Sequence, residues 1–345
     1  MENGKTKEKK GKIPYLAFLI LTLCFVLGVS FLAFSGCAGL GDASAEEYFS
    51  LGMAYYDMGK FEEAERWLNR AKTKDKTKSA SEYNLGRIAF ETGRYKDAAK
   101  HFESILKRDP ENVLALKAAA YTRIRLGDFE KAEAHYRKLL VLVPESADDG
   151  YNHALVLFAI KKFPEAEQVL MNHEFALFDN YEVLLLYARC QKEQNKPEAI
   201  DTYAKWLADN SDPNVRFEYA QILENHELYA RALNEYRTVL TAPGSEITRQ
   251  EVRFSIARLL LFADAESTEG VGELQEAVNE GFDDIEAMEK LLENEWISNA
   301  NKDVIRTIIT DVKQQAAALA AEEAKAGRPS RRVRGRAGRN TEQEE

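Results

Sequence analysis

Histidine and cysteine side chains can bind metals or take part in nucleophilic catalysis, and the sequence holds five histidines and three cysteines. His101 and His135 recur 34 residues apart at one position of a helical pattern, which predicts solvated surface. His153, His173 and His226 lack the spacing of metal ligands. The chain has no glycine-rich phosphate loop, no His-Glu-x-x-His, no Cys-x-x-Cys pair and no nucleophile elbow. The sequence therefore predicts no catalytic, metal or cofactor site and argues against an enzyme.

Cys37 is the cysteine with a chemically specific context. It ends the tetrapeptide Phe34-Ser35-Gly36-Cys37, after an uncharged apolar run of 22 residues, 13–34. Small residues before a cysteine at the end of such a run resemble the bacterial lipobox, although a leucine is usual where Phe34 stands. The resemblance implies that Cys37 is lipidated and becomes the first residue of the mature protein. The alternatives are an uncleaved signal anchor, because the run is long enough to cross a bilayer, and ordinary cleavage after residues 43–45.

The other two cysteines do not form a disulfide framework. Cys24 lies within the apolar run, which leaves Cys190 as the lone thiol of the body. Because a lone thiol has no intrachain partner, disulfides are not expected to hold the fold. For Cys190 we predict a small buried residue on a helix rather than a redox role.

Charge is distributed asymmetrically along the chain. Residues 1–12 carry net +3 and residues 326–345 also carry +3, so with −10 for the whole chain the body between them carries −16. Five lysines before the apolar run and acidic residues after it predict a cytoplasmic N-terminus and an extracytoplasmic body. The acidic body argues against nucleic acid as a partner.

Small residues recur with a period of 34 along the first half of the body. The recurring residues are Gly52 and Gly86, then Gly59, Gly93 and Gly127, and then Ala64, Ala98 and Ala132. This pattern of glycine, turn glycine, aromatic and alanine resembles the tetratricopeptide repeat family. With the apolar run, the resemblance implies an all-α fold: a tetratricopeptide-repeat solenoid of antiparallel helix pairs, stacked in a right-handed superhelix behind an N-terminal membrane segment.

The residues also predict how each helix pair is built. Apolar residues recur at helical spacing from Tyr95 to Ile105 and form one buried stripe on the second helix. Gly93 can take the left-handed conformation that closes the first helix. Gly86 lies within the first helix, where glycine costs about 1 kcal/mol relative to alanine. We therefore expect the second helix to pass close to Gly86, with Ala98 facing it.

The repeat register predicts where the domains begin and end. Lys161 stands where the fourth repeat should have its turn glycine, and Ala188 and Ala199 are 11 rather than 12 residues apart, which predicts a shorter turn in the fifth. The predicted segments are a signal peptide or anchor (1–37), a flexible linker (38–44), six repeats (45–78, 79–112, 113–146, 147–179, 180–212 and 213–245), a degenerate repeat with capping helices (246–325) and a disordered arginine-rich tail (326–345).

The candidate binding site is the concave groove. In the family the first helix of each repeat lines that groove, and the resemblance implies a partly cationic apolar surface suited to an extended or helical protein segment. Only Asn84 matches the carboxylate clamp of chaperone-binding relatives, so that binding mode is not expected. The predicted groove residues are Phe49, Met53, Tyr56, Tyr83, Arg87, Phe90, Lys117, Tyr121, Ile124, Tyr151, Leu155 and Phe158.

These observations predict a membrane-tethered, extracytoplasmic scaffold for protein–protein interactions in a bacterial envelope assembly, with a periplasmic location favoured. The alternative is a surface-exposed adhesin that binds host or matrix polymers. Neither hypothesis requires a cofactor, a nucleic acid or a small-molecule substrate.

Overall fold

Residues 44–73, 75–172 and 180–325 are described by the computed structural model, and they contain helices and turns but no strand. The chain divides into two compact units, unit 1 (residues 1–143) and unit 2 (residues 144–345). The described helices of unit 1 are α1 (Ala45–Asp57), α2 (Phe61–Ala71), α3 (Asp75–Glu91), α4 (Tyr95–Arg108), α5 (Val113–Arg125) and α6 (Phe129–Leu142).

Unit 2 continues the succession of helix pairs and ends on a long helix. Its described helices are α7 (Ala147–Ala159), α8 (Phe163–Met171), α9 (Tyr181–Glu193), α10 (Glu198–Asp209), α11 (Pro213–Asn225), α12 (Tyr229–Thr241), α13 (Arg249–Ala263), α14 (Thr268–Asn279), α15 (Ile285–Glu293) and α16 (Asn299–Lys325).

Capping residues define the start of several first helices. Ser44 and Glu47 form a capping box at α1, in which the Ser44 hydroxyl accepts from the Glu47 backbone N–H at 3.2 Å and the Glu47 carboxylate accepts from the Ser44 N–H at 2.6 Å. Thr248 and Glu251 repeat this arrangement at α13. Such side chains satisfy backbone donors that a helix leaves unpaired at its N-terminus.

One left-handed residue closes the first helix of each repeat. Gly59, Gly93 and Gly127 have φ values of 70°, 77° and 71°. In the later repeats Lys161, Asn195 and Glu227 take the same conformation, with φ of 61°, 53° and 60°. In the fifth repeat one residue fewer separates the left-handed Asn195 from the packing alanine Ala199, which confirms the predicted shorter turn.

Each second helix of unit 1 contributes a buried stripe to the core, as the apolar pattern predicts. Ala98, Phe102 and Ile105 of α4 are buried, and Ala132, Tyr136 and Leu139 repeat them on α6. The close approach at Gly86 is also present, but the residue that faces it is Phe102 and not Ala98. Ala98 lies one turn earlier on α4. The prediction that α4 passes close to Gly86 was therefore right, but the residue predicted to make the contact was wrong by one turn.

In unit 2 the helix α11 is joined to its neighbour α9 by the half-buried carboxylate of Glu218. Glu218 accepts two hydrogen bonds from the Arg189 guanidinium, at 3.0 and 2.8 Å, and a third from the Tyr203 hydroxyl at 2.7 Å. Tyr203 is fully buried, and this burial together with the Glu218 charge raises the pKa of its phenol. The bidentate ion pair fixes the spacing of the two first helices.

The same arrangement joins α11 to α13 on its other side. Glu224 accepts from the Arg258 guanidinium at 3.0 and 2.9 Å and from the Tyr236 hydroxyl at 2.9 Å. Tyr236 is also fully buried, and burial beside Glu224 raises its phenol pKa. One helix thus presents two carboxylates that each bind a neighbouring arginine and a core tyrosine.

The last four helices share one apolar core. Leu261, Leu274, Met288 and Ile305, one each from α13, α14, α15 and α16, are all fully buried. Val312 is the last buried residue of α16, and the described side chains beyond it are exposed. The first part of α16 therefore packs against the preceding helices, as expected for a terminal element of a solenoid.

Candidate functional site

The first helices of unit 1 enclose a small cavity on the face where the repeat register predicts the groove. Its volume is about 160 Å³, and the buried ring of Phe102 on the second helix α4 is part of its lining. An apolar cavity of about 150 Å³ is large enough for benzene, so this one can accept a single large side chain. Its walls are Arg87, Phe90 and Glu91 of α3 and Ala118, Tyr121 and Thr122 of α5.

Phe90 packs against two other aromatic rings at the cavity. The Phe90 ring lies 5.4 Å from the Tyr121 ring and 5.2 Å from the Tyr95 ring, measured between centroids. Tyr121 is 47% exposed, and one side of its ring lies against Phe90. A partly exposed aromatic with a fixed neighbour offers contact area to a ligand at low entropic cost, and such residues are frequent binding hot spots.

A polar network holds the charged rim of the cavity in place. Arg87 donates to the Tyr56 hydroxyl at 2.7 Å and to the Asn84 side-chain oxygen at 3.2 Å, and its guanidinium lies 4.6 Å from the centroid of the Tyr56 ring. The Tyr56 hydroxyl in turn donates to the Glu91 carboxylate. Burial and the Glu91 hydrogen bond raise the pKa of Tyr56 to about 12. Arg87 is thereby pre-organised as a cation at the cavity edge.

The structure brings three of the predicted groove residues of unit 1, Arg87, Phe90 and Tyr121, into this cavity. Tyr83 lies elsewhere: its ring is 5.6 Å from that of Phe102 and packs half-buried against the core. The other predicted residues of unit 1 lie on α1 and α5. Lys117 and Ile124 of α5 are exposed and half-buried, respectively, and Phe49, Met53 and Tyr56 of α1 are half-buried.

Sequence reasoning missed several residues of this surface. Leu114 is 62% exposed and shares one face of α5 with Lys117 and Tyr121, at spacings of three and seven residues. The 34-residue register could have found Leu114, since it stands at the position of Ala80 one repeat earlier. The contribution of Phe102 could not be read from periodicity, because that residue belongs to the core stripe.

The predicted groove residues of unit 2 lie on α7. Leu155 is 39% exposed, whereas Tyr151 and Phe158 are half-buried and pack against the unit 2 core. Phe158 also makes an edge-on contact with Phe163 of α8, with ring centroids 5.2 Å apart. Of the three predicted groove residues on α7, Leu155 is therefore the one that is exposed.

A second cavity, of about 330 Å³, lies between α13 and α15 in unit 2. The stacked pair Phe254 and Phe282, with centroids 4.3 Å apart, supports one wall. Its lining includes the half-exposed Phe262 and the Arg258 that pairs with Glu224. No sequence pattern predicted this cavity, because the repeat signature fades before α13.

His101, His135 and Cys190 are packed into the fold to different degrees. His101 and His135 are half-buried rather than fully solvated, and burial lowers the pKa of both imidazoles. Cys190 is fully buried on α9, as predicted, and burial raises the pKa of its thiol to about 12. Within the described ranges no group of three or more His, Cys, Asp and Glu residues is placed to hold a metal ion.

The predicted membrane segment, the lipid attachment residue Cys37 and the arginine-rich tail lie outside the described residues. Among the helices described between residues 44 and 325, none combines sufficient length with sufficient apolar character to cross a bilayer.

Comparison with known proteins identifies the repeats. Models of the tetratricopeptide repeat match residues 45–78 and 83–149, so this part of the chain consists of tetratricopeptide repeats. The paired helices that surround the cavity are thus repeats of a class whose stacked units build extended binding surfaces.

Individual relatives are distant. An "Uncharacterized lipoprotein" of Treponema pallidum (strain Nichols) is 24% identical over 49% of this chain and 88% of its own length. The "Protein O-mannosyl-transferase Tmtc3" of Drosophila melanogaster is 26% identical over 55% of this chain, which spans only 21% of that protein. Among solved structures, a tetratricopeptide repeat protein from Parabacteroides merdae ATCC 43184 aligns with a TM-score of 0.46 and 23% identity, over 72% of this chain and 99% of that one.

Proposed function

We propose that this protein is a membrane-tethered scaffold that binds a segment of another protein in the cavity between α3 and α5. The observation that carries the proposal is the position of Tyr121: its half-exposed ring lies against Phe90 and borders the cavity, whose lining also includes the hydrogen-bonded guanidinium of Arg87. An apolar side chain of the partner would enter between the rings, and an acidic or carbonyl oxygen beside it would meet the guanidinium.

The tether is proposed from the N-terminal sequence. Residues 13–34 are long and apolar enough to enter a bilayer, and Cys37 follows in a lipobox-like tetrapeptide. The resemblance to a relative described as a lipoprotein supports the same proposal. The binding face would then lie outside the cytoplasm in the bacterial envelope, most simply in the periplasm.

Site-specific photocrosslinking in intact cells tests the binding face. A photoreactive residue at Leu114, which is 62% exposed on the cavity side of α5, should crosslink to a discrete partner in the wild type. Tyr121→Ala should reduce that product strongly, because truncating a hot-spot aromatic costs about 2 kcal/mol or more. Tyr181→Ala is the matched control, because Tyr181 is also 47% exposed but lies on α9. Equal crosslinking in all three proteins would contradict the proposed site.

Intact mass spectrometry tests the tether. The mature chain should begin at a lipidated Cys37, and Cys37→Ala should remain as a larger, unprocessed species. A wild-type chain that retains Met1 would exclude lipidation and leave an uncleaved anchor. Digestion of intact cells with an external protease separates the periplasmic scaffold from a surface adhesin, since only the adhesin would be cut.

A further inference from the structure

The outer face of unit 1, formed by the second helices of its repeats, carries a recess unrelated to the inner cavity. It lies between α4 and α6 and has a volume of about 330 Å³. Its lining residues are Glu103, Leu106 and Lys107 of α4 and Lys131, Ala134, His135 and Lys138 of α6. None of them lines the cavity between α3 and α5.

The recess is cationic on a chain whose net charge is negative. Three lysines border it, and its single carboxylate, Glu103, is ion-paired with Arg123. Lys131 is 2.7 Å from Asp128, yet its side chain remains 61% exposed. Since Glu103 is already neutralised, the lysines present a positive field to any ligand that enters.

The floor of the recess is apolar. Leu106 and Ala134 are half-buried there, and the methylene stems of the lysines extend the apolar wall while their ammonium groups remain in water. Four residues share one face of α6, because they are spaced three, four and three positions apart: Lys131, Ala134, Lys138 and Val141. Val141, at the end of this face, is an aliphatic side chain that is 78% exposed.

We propose that this recess binds an acidic polypeptide segment in which aliphatic side chains alternate with carboxylates. The aliphatic side chains would lie on Leu106, Ala134 and Val141, and the carboxylates would reach the ammonium groups of Lys107 and Lys138. Charge complementarity of this kind selects the partner and its register. The site is separate from the inner cavity, so it does not depend on the proposed function.

A polypeptide fits the recess better than a lipid surface does. The recess is a depression between two helices, which a flat bilayer cannot enter, whereas a narrow chain can.

Fluorescence anisotropy with a labelled synthetic peptide tests the proposal on the full chain. The probe has leucines flanked by glutamates, and the control peptide replaces each glutamate by glutamine. Lys107→Glu with Lys138→Glu should weaken binding of the acidic probe about tenfold or more, since each lost pair at an exposed site is worth up to about 1 kcal/mol and like charges now repel. Binding should also weaken as salt is added.

Matched variants make the result specific. Lys60→Glu with Lys96→Glu changes the net charge by the same amount at exposed lysines outside the recess and should leave binding unchanged. Lys107→Gln with Lys138→Gln should give a smaller loss, and Val141→Ser should weaken binding at constant charge. Circular dichroism establishes that each variant keeps its helical content. Tyr121→Ala should not alter binding of this probe, which separates the recess from the inner cavity.

Three results would overturn the proposal. Equal losses in the recess and control variants would indicate non-specific attraction. Recess-dependent binding to phosphatidylserine vesicles without binding to the peptide would assign the site to lipid. Recess-dependent self-association without peptide binding would assign it to a second copy of the chain.

Discussion

The Phe102 ring lies directly against the backbone of Gly86: a Cβ atom at Gly86 would come within 2.6 Å of Phe102 Cε1. One repeat earlier, a Cβ at Gly52 would come within 2.8 Å of Leu68 Cγ. The helix-interior glycines are therefore required by contact with a large side chain of the second helix, which offsets their low helix propensity. The Phe102 ring also lines the inner cavity. The side chain that packs against Gly86 is therefore also part of the candidate binding site.

We expect Gly86→Ala to destabilise unit 1 although alanine is the better helix former. The added methyl group overlaps the rigid Phe102 ring, and overpacking of this kind typically costs about 1–3 kcal/mol. Chemical denaturation followed by circular dichroism measures the change. Gly272→Ala is the control, because Gly272 is a helical glycine with no atom within 4 Å of its would-be Cβ. That variant should gain up to about 1 kcal/mol from helix propensity alone.

A double-mutant cycle identifies the contact that is responsible. Combining Gly86→Ala with Phe102→Ala should cost less than the sum of the two single variants, because the small side chain at position 102 leaves room for the methyl group. Strict additivity would mean that Gly86 is small for another reason. An increased melting temperature for Gly86→Ala would have the same meaning.

The left-handed turn residues predict a graded series of stabilities. Lys161 and Glu227 are exposed and hold φ values of 61° and 60°, which L-residues adopt at a cost of about 1–2 kcal/mol. Lys161→Gly and Glu227→Gly should therefore stabilise the protein by about 0.5–1 kcal/mol, after the extra chain entropy of glycine in the unfolded state is subtracted. Asn195→Gly should gain less, because asparagine tolerates this conformation. Urea unfolding midpoints provide the measurement.

Gly127→Ala provides the reverse test of the turn geometry. Gly127 has φ of 71° and open space around its would-be Cβ, so backbone strain is the only expected penalty. We expect a loss of about 1 kcal/mol. If alanine were neutral at Gly127 while glycine at Lys161 gave no gain, the turns would not store strain.

Periodicity predicted the parts of the fold that depend on backbone and small residues. The turn glycines, the alanines of the second helices and the shorter turn before Ala199 all recur at fixed spacing, and each one is a local requirement of helix pairing. The contact at Gly86 was misassigned by one turn, because Ala98 and Phe102 belong to the same stripe and spacing alone cannot say which side chain reaches across.

The cavities could not be predicted from spacing because they depend on side-chain conformation. Tyr83 and Tyr121 are both assigned by the repeat register to the groove face of a first helix. In the structure the Tyr83 ring packs on Phe102, whereas the Tyr121 ring is half-exposed. Likewise, the recess between α4 and α6 arises because Ala134 is small where its neighbours are long, and His135 is half-buried beside it. The acidic composition of the body gave no indication of a local cluster of lysines.

The two fully buried tyrosines described in unit 2, Tyr203 and Tyr236, predict a loss of stability at alkaline pH. Burial beside Glu224 and Glu218 raises the phenol pKa of Tyr236 and Tyr203 above the ordinary value near 10. Above that ordinary value the unfolded chain releases the phenol protons while the folded chain keeps them, so the free energy of unfolding falls as pH rises, by up to about 1.4 kcal/mol per pH unit for each group.

Tyr203→Phe and Tyr236→Phe should each cost about 1 kcal/mol near neutral pH, because a hydrogen bond to a carboxylate is lost while the arginine pair remains. At pH about 11 each cost should shrink or reverse, since phenylalanine has no proton to release. Urea unfolding at the two pH values measures this difference, with Tyr181→Phe as the control, because the Tyr181 side chain is 47% exposed. An unchanged cost at both pH values would show that these tyrosines do not couple stability to alkaline titration.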